Sequence, residues 1–310
     1  MKRRRTLQLL LTAAIAAVAG ALALSGVLPA KPDKAVSGPP AGHVFEPVFA
    51  DEFEGSRVDD GKWLFAFYDP KTEKPGIAKR NLWNNGERQV YMDPAFLGLG
   101  IDPFTVKDGT LQIAATPLAA AQRVIVATEV SLQPPEIART ALKDVSYSSG
   151  MISSRGRFSQ TYGYFEIRAR WSGGKGIWPA FWLLPAKGGW PPEIDVLEAH
   201  GDKPGVTFHT LHSREKTNGT QTIRRPASDG AFHTYGVLWL ADTISFYIDD
   251  RLTASEPTPA DMHQPMYVIA NLAIGGKWPG DPDGGTRFPA TMEIDYVRAW
   301  SVAGKPVSAP

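Results

Sequence analysis

Residues 190–200 read WPPEIDVLEAH, which sets three carboxylates, Glu193, Asp195 and Glu198, among Ile194, Val196 and Leu197. β-Branched and aliphatic residues at these positions favour a strand. On a strand alternate side chains share a face, so Glu193 and Asp195 point one way and Ile194 the other. Glu198 breaks that parity, because its odd offset from Glu193 puts it on the apolar face. A single bulge within Val196–Leu197 restores it, and bulges recur where a side chain has to be re-aimed. Three carboxylates on one face repel one another unless at least one holds a proton, which is how a chain prepares an acid and a base at neutral pH. Two plainer readings stand beside this one: a solvated edge-strand face, or a gathering of oxygens for a hard cation.

The same period of two runs through most of the chain. VFEPVFADEFEG, GTLQIAAT, GYFEIRARW, HTYGVLWL, TISFYIDD, MYVIANLAI and MEIDYVRAW alternate apolar with polar residues and are separated by Gly, Pro or Asp. Leu240–Thr243 reads as a hairpin turn. Helical patterns are confined to AAAQRVI at 119–125 and PPEIARTALKD at 134–144, inside an insertion, 117–147, that is the least strand-like part and reads as a long surface loop. Many short strands without a βαβ rhythm predict an all-β sandwich or jelly roll.

The chain opens MKRRRTLQLLLTAAIAAVAGALALSGVLPA, a cationic start and a Leu/Ala run that predict export. Residues 1–30 are read as a signal peptide or an N-terminal anchor, since the apolar run also approaches the ~20 residues that span a bilayer. Pro/Gly-rich residues 31–43 read as a linker, 44–302 as the catalytic domain and 303–310 as a tail. The chain has no cysteine, so an exported protein of this kind must hold itself together by core burial or a structural ion. A formal net charge of +1 leaves no polybasic patch and argues against nucleic acid as a partner.

Two further patterns suggest a groove for a polar, ring-shaped ligand. In YGYFEIRARW, Tyr164, Glu166, Arg168 and Arg170 share one face, and Phe165, Ile167 and Ala169 the other, which can pack against an opposing sheet. The chain has nine tryptophans, and those at 178, 182, 190 and 278 sit in the Gly- and Pro-containing stretches GIWPAFWLLP, GGWPPEID and GGKWPG, better placed for stacking on sugar faces than for a core.

EIDVLE resembles the E-[aliphatic]-D-x-x-E signature of glycoside hydrolase family 16, in the bulged form of its laminarinase-like members. FADEFEG, NNGERQVY, SSRGRFSQTYGYFEIRAR, GIWPAFWLLP, FHTYGVLW, NLAIGGKWPG and MEIDYVRAW resemble the family's successive blocks, in order. GWPPEIDVLEAHG after GIWPAFWLLP is most similar to bacterial exopolysaccharide glycanases of the succinoglycan-depolymerase kind, with β-1,3-glucanases next. The resemblance implies a jelly-roll β-sandwich of two antiparallel sheets with a concave cleft, and retaining hydrolysis of internal β-1,3 or β-1,4 bonds of a polysaccharide. It makes Glu193 the nucleophile, Glu198 the general acid/base and Asp195 the carboxylate that holds the nucleophile's geometry and charge.

The resemblance also implies supporting residues. Glu166 and Arg168 match sugar-binding positions on a neighbouring strand, and Asn85 a polar contact to the donor sugars. Trp178, Trp182 and Trp190 match cleft aromatics, and Asn271 and Trp278 of NLAIGGKWPG complete the set. His212 matches a histidine near the acid/base, or is a structural histidine in its strand; His200 has no assigned role. Asp295 and the backbone of Gly109 match ligands of a structural calcium remote from the cleft, with an ordinary capping Asp as the alternative. No cofactor is implied for catalysis, the protein is expected to be a monomer, and membrane contact is expected only through an uncleaved N-terminal segment. The insertion at 117–147 and the Pro191–Pro192 pair depart from the simplest laminarinases, so linkage preference does not carry over. A transglycosylase, or a carbohydrate-binding protein on the same fold without catalysis, are the competing readings; the presence of all three carboxylates argues against the second.

Overall fold

The alternating segments become strands because each has one apolar face to bury and one polar face to leave outside. The computed structural model describes residues 37–68, 73, 76–135, 144–215, 217–224 and 230–303. The expected signal or anchor, residues 31–36 of the linker and residues 304–310 lie outside the described residues. Among the described residues no helix is long and apolar enough to cross a membrane.

In chain order the strands are β1 (Phe45–Asp51), β2 (Gln89–Tyr91), β3 (Phe104–Lys107), β4 (Thr110–Pro117), β5 (Tyr147–Ser149), β6 (Met151–Ser153), β7 (Gly163–Trp171) and β8 (Ile177–Pro185). They continue as β9 (Glu193–Glu198), β10 (Val206–His212), β11 (Thr217–Arg224), β12 (His233–Trp239), β13 (Thr243–Ile248), β14 (Arg251–Pro257), β15 (Met266–Ile274) and β16 (Ala290–Val302). A ten-stranded sheet runs β14-β13-β12-β7-β16-β4-β5-β2, with β1 on β16 and β3 on β4; a six-stranded sheet runs β11-β10-β9-β8-β15-β6. Pairing is antiparallel apart from β2 with β5. The two sheets make the expected jelly-roll sandwich, and Leu240 N donates to Thr243 O in the expected β12–β13 hairpin.

Between the sheets lies one large core. Phe165, Ile167 and Ala169 of β7 meet Phe181 and Leu183 of β8, Ile194, Val196 and Leu197 of β9, and Val268, Ala270 and Leu272 of β15, all fully buried. Each such aliphatic or aromatic side chain contributes about 1.5–3 kcal/mol relative to exposure, enough to hold a sandwich without disulfides.

The insertion is not simply a surface loop. It contains an α-helix, α1 (Ala120–Ser131), which buries Val126 and Val130 in a second cluster with Ile77, Val90, Met92, Leu118 and Val145. Residues 119–125, read as helical, therefore belong to a longer helix. The pattern at 134–144 falls mostly outside the described residues.

Candidate active site

The parity break predicted in β9 is present as a bulge. Against β8, Glu198 pairs with Ala180 and Leu197 with Phe181, but Asp195 pairs with Trp182, so Val196 has no partner. The register against β10 shifts at the same place. Both Val196 and Leu197 enter the core, and Glu198 joins Glu193 on the outer face of the six-stranded sheet. The carbonyl that the bulge releases from the ladder is not left bare: His209 Nδ1 donates to Val196 O at 2.7 Å, with the ring buried and stacked on Phe246 at 4.7 Å. A carbonyl only accepts, so Nδ1 carries the proton.

Each glutamate has an indole donor. Trp190 Nε1 donates to Glu193 Oε2 at 2.8 Å, and Trp178 Nε1 to Glu198 Oε1 at 3.1 Å. Asp195 stands between them, and His212 Nε2 lies 3.2 Å from Asp195 Oδ2 and 3.8 Å from Glu193 Oε1. The histidine is out of line for a hydrogen bond, which leaves Asp195 Oδ2 buried and without a hydrogen-bond partner. Burial, followed by the charge of Asp195, pushes the Glu193 carboxyl well above the usual range, against the opposing pull of His212 and Trp190. Burial and then the charge of Glu198 push Asp195 up in the same way. Burial and then the charge of Glu193 bring Glu198 to about 8, with the Trp178 and Thr210 hydrogen bonds opposing. The cluster therefore retains protons at neutral pH. It can present an undissociated Glu198 beside a Glu193 carboxylate that N–H donors favour.

These groups line a cavity of about 590 Å³ with Trp83, Asn85, Trp178, Trp182, Trp190, Thr210, His212 and Trp278. Trp190 and Trp278 are the exposed aromatics, 63% and 41% accessible, and suit ring stacking. Trp178 and Trp182 are mostly buried, and their indoles serve as donors, to Glu198 and to Asn271 Oδ1 respectively. Asn271 thus lies in the floor of the site, held from the other side because its amide donates to Tyr91 Oη at 2.9 Å. His200 packs edge-on against Trp278, with ring centroids 4.4 Å apart, behind the cleft. A larger cavity, about 1060 Å³, lies around Phe65, Tyr68, Arg80 and Phe96, and none of Glu193, Asp195 and Glu198 lines it.

Two expected sugar-binding residues are elsewhere. β7 pairs with β12 and β16 in the ten-stranded sheet, whereas the neighbours of β9 are β8 and β10. The parity read for β7 is correct, but its polar face is the outer face of the opposite sheet. There Glu166 is fully buried and accepts hydrogen bonds from Tyr164 Oη, Tyr296 Oη and Ser37 Oγ at 2.8–2.9 Å. Arg168 Nη1 meets Asp295 Oδ2 at 2.7 Å. That pairing sets the Asp295 carboxylate against a guanidinium through Oδ2, while Gly109, the other residue matched to the expected calcium, sits in the β3–β4 turn. Among the described residues, the one group of His, Asp and Glu side chains close enough to share an ion is Glu193, Asp195 and His212.

Sequence reading missed four contributors. His209, beside the histidine it did single out, is recognisable only once the bulge is seen. Trp83 was passed over in NLWNNGE. Gln89 and Glu87 come from a segment remote in sequence: Gln89 Oε1 accepts from Ile274 N at 2.8 Å, and Glu87 is 1% exposed under the carboxylates.

A family model for glycosyl hydrolases family 16 matches residues 114–298. Endo-1,3-1,4-beta-glycanase EglC of Rhizobium meliloti is 40% identical over 264 residues, 84% of this chain and 52% of that protein. Among solved structures, the catalytic domain of a laminarinase from Thermotoga petrophila superposes with a TM-score of 0.66 at 26% identity, covering 85% of this chain and 100% of that one. The laminarinase of Rhodothermus marinus superposes with a TM-score of 0.65 at 30% identity, covering 84% and 99%. The chain spans about half the length of the curated relatives it matches.

Proposed function

The chain belongs to glycosyl hydrolases family 16, and from that premise we propose that it is an exported, retaining endo-β-glycanase cleaving β-1,3 or β-1,4 bonds inside a bacterial exopolysaccharide or β-glucan. The observation that carries the reading is the β9 bulge, which turns Glu198 onto the face of Glu193 with Asp195 between them. Retaining glycosidases need two carboxyls flanking the scissile bond, one to attack the anomeric carbon and one to protonate the leaving oxygen. Glu193, whose carboxyl burial and Asp195 push up while His212 and Trp190 pull it back toward the anion, attacks the anomeric carbon as its carboxylate. Glu198, which burial and its neighbours keep protonated to about pH 8, gives its proton to the departing oxygen. Once Glu193 is a neutral ester, the repulsion that held the proton on Glu198 is gone, so the same group becomes the base that takes a proton from the incoming water. Asp195 supplies a buried carboxyl that keeps Glu193 oriented. Carboxyl groups suffice for both steps, so no metal is required by the chemistry.

Similarity to an endo-1,3-1,4-beta-glycanase and to laminarinases supports a β-glucan-like main chain; MKRRR ahead of an apolar run supports export. Trp190 and Trp278 provide stacking platforms at the two ends of the carboxylate row. The test is to incubate the protein with β-1,3-glucan, mixed-linkage β-1,3-1,4-glucan and succinoglycan-type polymer, and to follow the first-formed anomer by NMR. Oligosaccharides released with β configuration are expected. Release of the α anomer, or no cleavage of any of the three, overturns the reading.

A further inference from the structure

Glu87 stands two residues from Asn85 in NNGERQVY with no role assigned from sequence, yet it lines the floor of the catalytic cavity with Glu193, Asp195, Glu198, Asn85 and Asn271. Its carboxylate collects three donors: Asn85 Nδ2 at 3.1 Å on Oε1, and Gln89 Nε2 at 2.6 Å and Leu82 N at 3.2 Å on Oε2. A carboxylate only accepts, so it selects the nitrogen end of the Asn85 amide and leaves the carbonyl end for the cleft. The turn that carries Asn85 is itself pinned, because Lys277 N donates to Asn85 O at 2.8 Å across Gly276. A Cβ on Gly276 would stand 3.0 Å from that oxygen.

Resting on the reading of Glu198 as the general acid, we propose that Glu87 is a positioning residue of the reaction: it orients Asn85 toward the sugar and places a negative charge near Glu198, so that Glu198 keeps its proton. The charge of Glu87 acts on Glu198 in this direction, and burial raises Glu87 itself to about 7, its three donors opposing. Glu87 therefore becomes more fully ionised as pH rises past neutrality, where Glu198 is at risk of losing its proton. The titratable groups around it are Glu193, Asp195 and Glu198 on β9 and Tyr91 on β2. Arg88 is turned away to Asp144 and Asp281, and the Lys277 ammonium donates to Asn84 O.

The test compares the full-length chain with Glu87→Gln, which keeps the shape and removes the charge. Expected are a kcat/KM profile on polymer whose alkaline limb moves down by about half a unit to one unit, the size of one screened charge nearby, and a raised KM from the freed Asn85. The kcat of an aryl glycoside with a good leaving group, which needs no acid, should fall less than the kcat on polymer. A folded Glu87→Gln protein with an unmoved alkaline limb makes Glu87 a purely structural group and overturns the proposal. Should that variant fail to fold, the coupling is read in reverse by following the Glu87 carboxyl with 13C NMR in the wild type and in Glu198→Gln. Reciprocity requires the Glu87 midpoint to fall in the variant by the amount Glu87 raises Glu198; an unchanged midpoint overturns the proposal. If instead Glu198→Gln retained polymer turnover, the general-acid assignment would fail while the titration still reported the coupling, so the two failures are distinguishable.

Discussion

The tripeptide Glu-Ile-Asp occurs on a strand of each sheet: Glu193-Ile194-Asp195 on β9 and Glu293-Ile294-Asp295 on β16. In both the isoleucine is fully buried in the common core, and in both the register slips beside the aspartate. Their partners differ. On β16, Glu293 meets Arg170 at 2.6 Å and Asp295 meets Arg168 at 2.7 Å. Among the described residues no arginine pairs with the carboxylates of β9, which have two indole N–H groups, the Thr210 hydroxyl and one histidine. Two similar strands thus carry opposite electrostatics, one neutralised and the other made to keep protons. Uncompensated charge is costly in a folded chain, and here it marks the face that does chemistry.

The comparison breaks most visibly at the nucleophile. Glu193→Ala leaves nothing to form a glycosyl ester, so polymer turnover should fall beyond the about 10²–10⁴-fold that general acid catalysis contributes, with azide restoring some cleavage and inverting the product. Glu293→Ala, its counterpart, should leave kcat intact. Near-normal turnover by Glu193→Ala sinks the assignment. Next comes Glu198→Ala, expected to lose about 10²–10⁴-fold on polymer but much less on activated aryl glycosides. In the wild type kcat/KM should decline as pH rises through about 8, where Glu198 ionises; a decline already complete near pH 5 contradicts the proton held there.

A smaller effect tests the bulge. His209→Ala removes the donor on Val196 O, and a misaimed Glu198 should cost about 10–100-fold in kcat, while substrate binding by Trp190 and Trp278 holds KM nearly constant. If kcat is unchanged, the bulge is held by core packing alone.

Stability should move in opposite directions on the two faces. Because Glu198 has a raised native pKa, it binds a proton in the folded chain that the unfolded chain has released between about pH 4.5 and 8. Its contribution is therefore present below that window and is lost as pH rises through it. Glu198→Gln should melt higher than wild type at pH 8–9 and little differently at pH 4. Arg168→Met should do the reverse, taking the guanidinium away from buried Asp295 at a cost of about 1–3 kcal/mol with kcat unchanged. Smallest of all, calcium or a chelator should leave the wild-type melting temperature where it is, since Arg168 already meets Asp295; a calcium-dependent rise would restore the ion to that position.

Much of this was readable in the chain. The parity of EIDVLE demanded a bulge, because a strand has no other way to place Glu193 and Glu198 on one face while burying Ile194, Val196 and Leu197. The same parity assigned Phe165, Ile167 and Ala169 to the core, and alternation across seven segments predicted an all-β sandwich. Local periodicity says which residues of a strand share a face, since that follows from backbone geometry alone. It does not say which sheet the strand joins. That decision is made by long-range pairing, and it took Glu166 and Arg168 to the far side of the molecule, paired Asp295 with Arg168, and docked the helix of an insertion read as a surface loop onto a second core cluster. Proton retention is likewise a tertiary property. Glu87 and Glu198 are ordinary glutamates until strands remote in sequence close over them, because a carboxyl gives up its proton according to the water and charges around it, and the fold alone sets those.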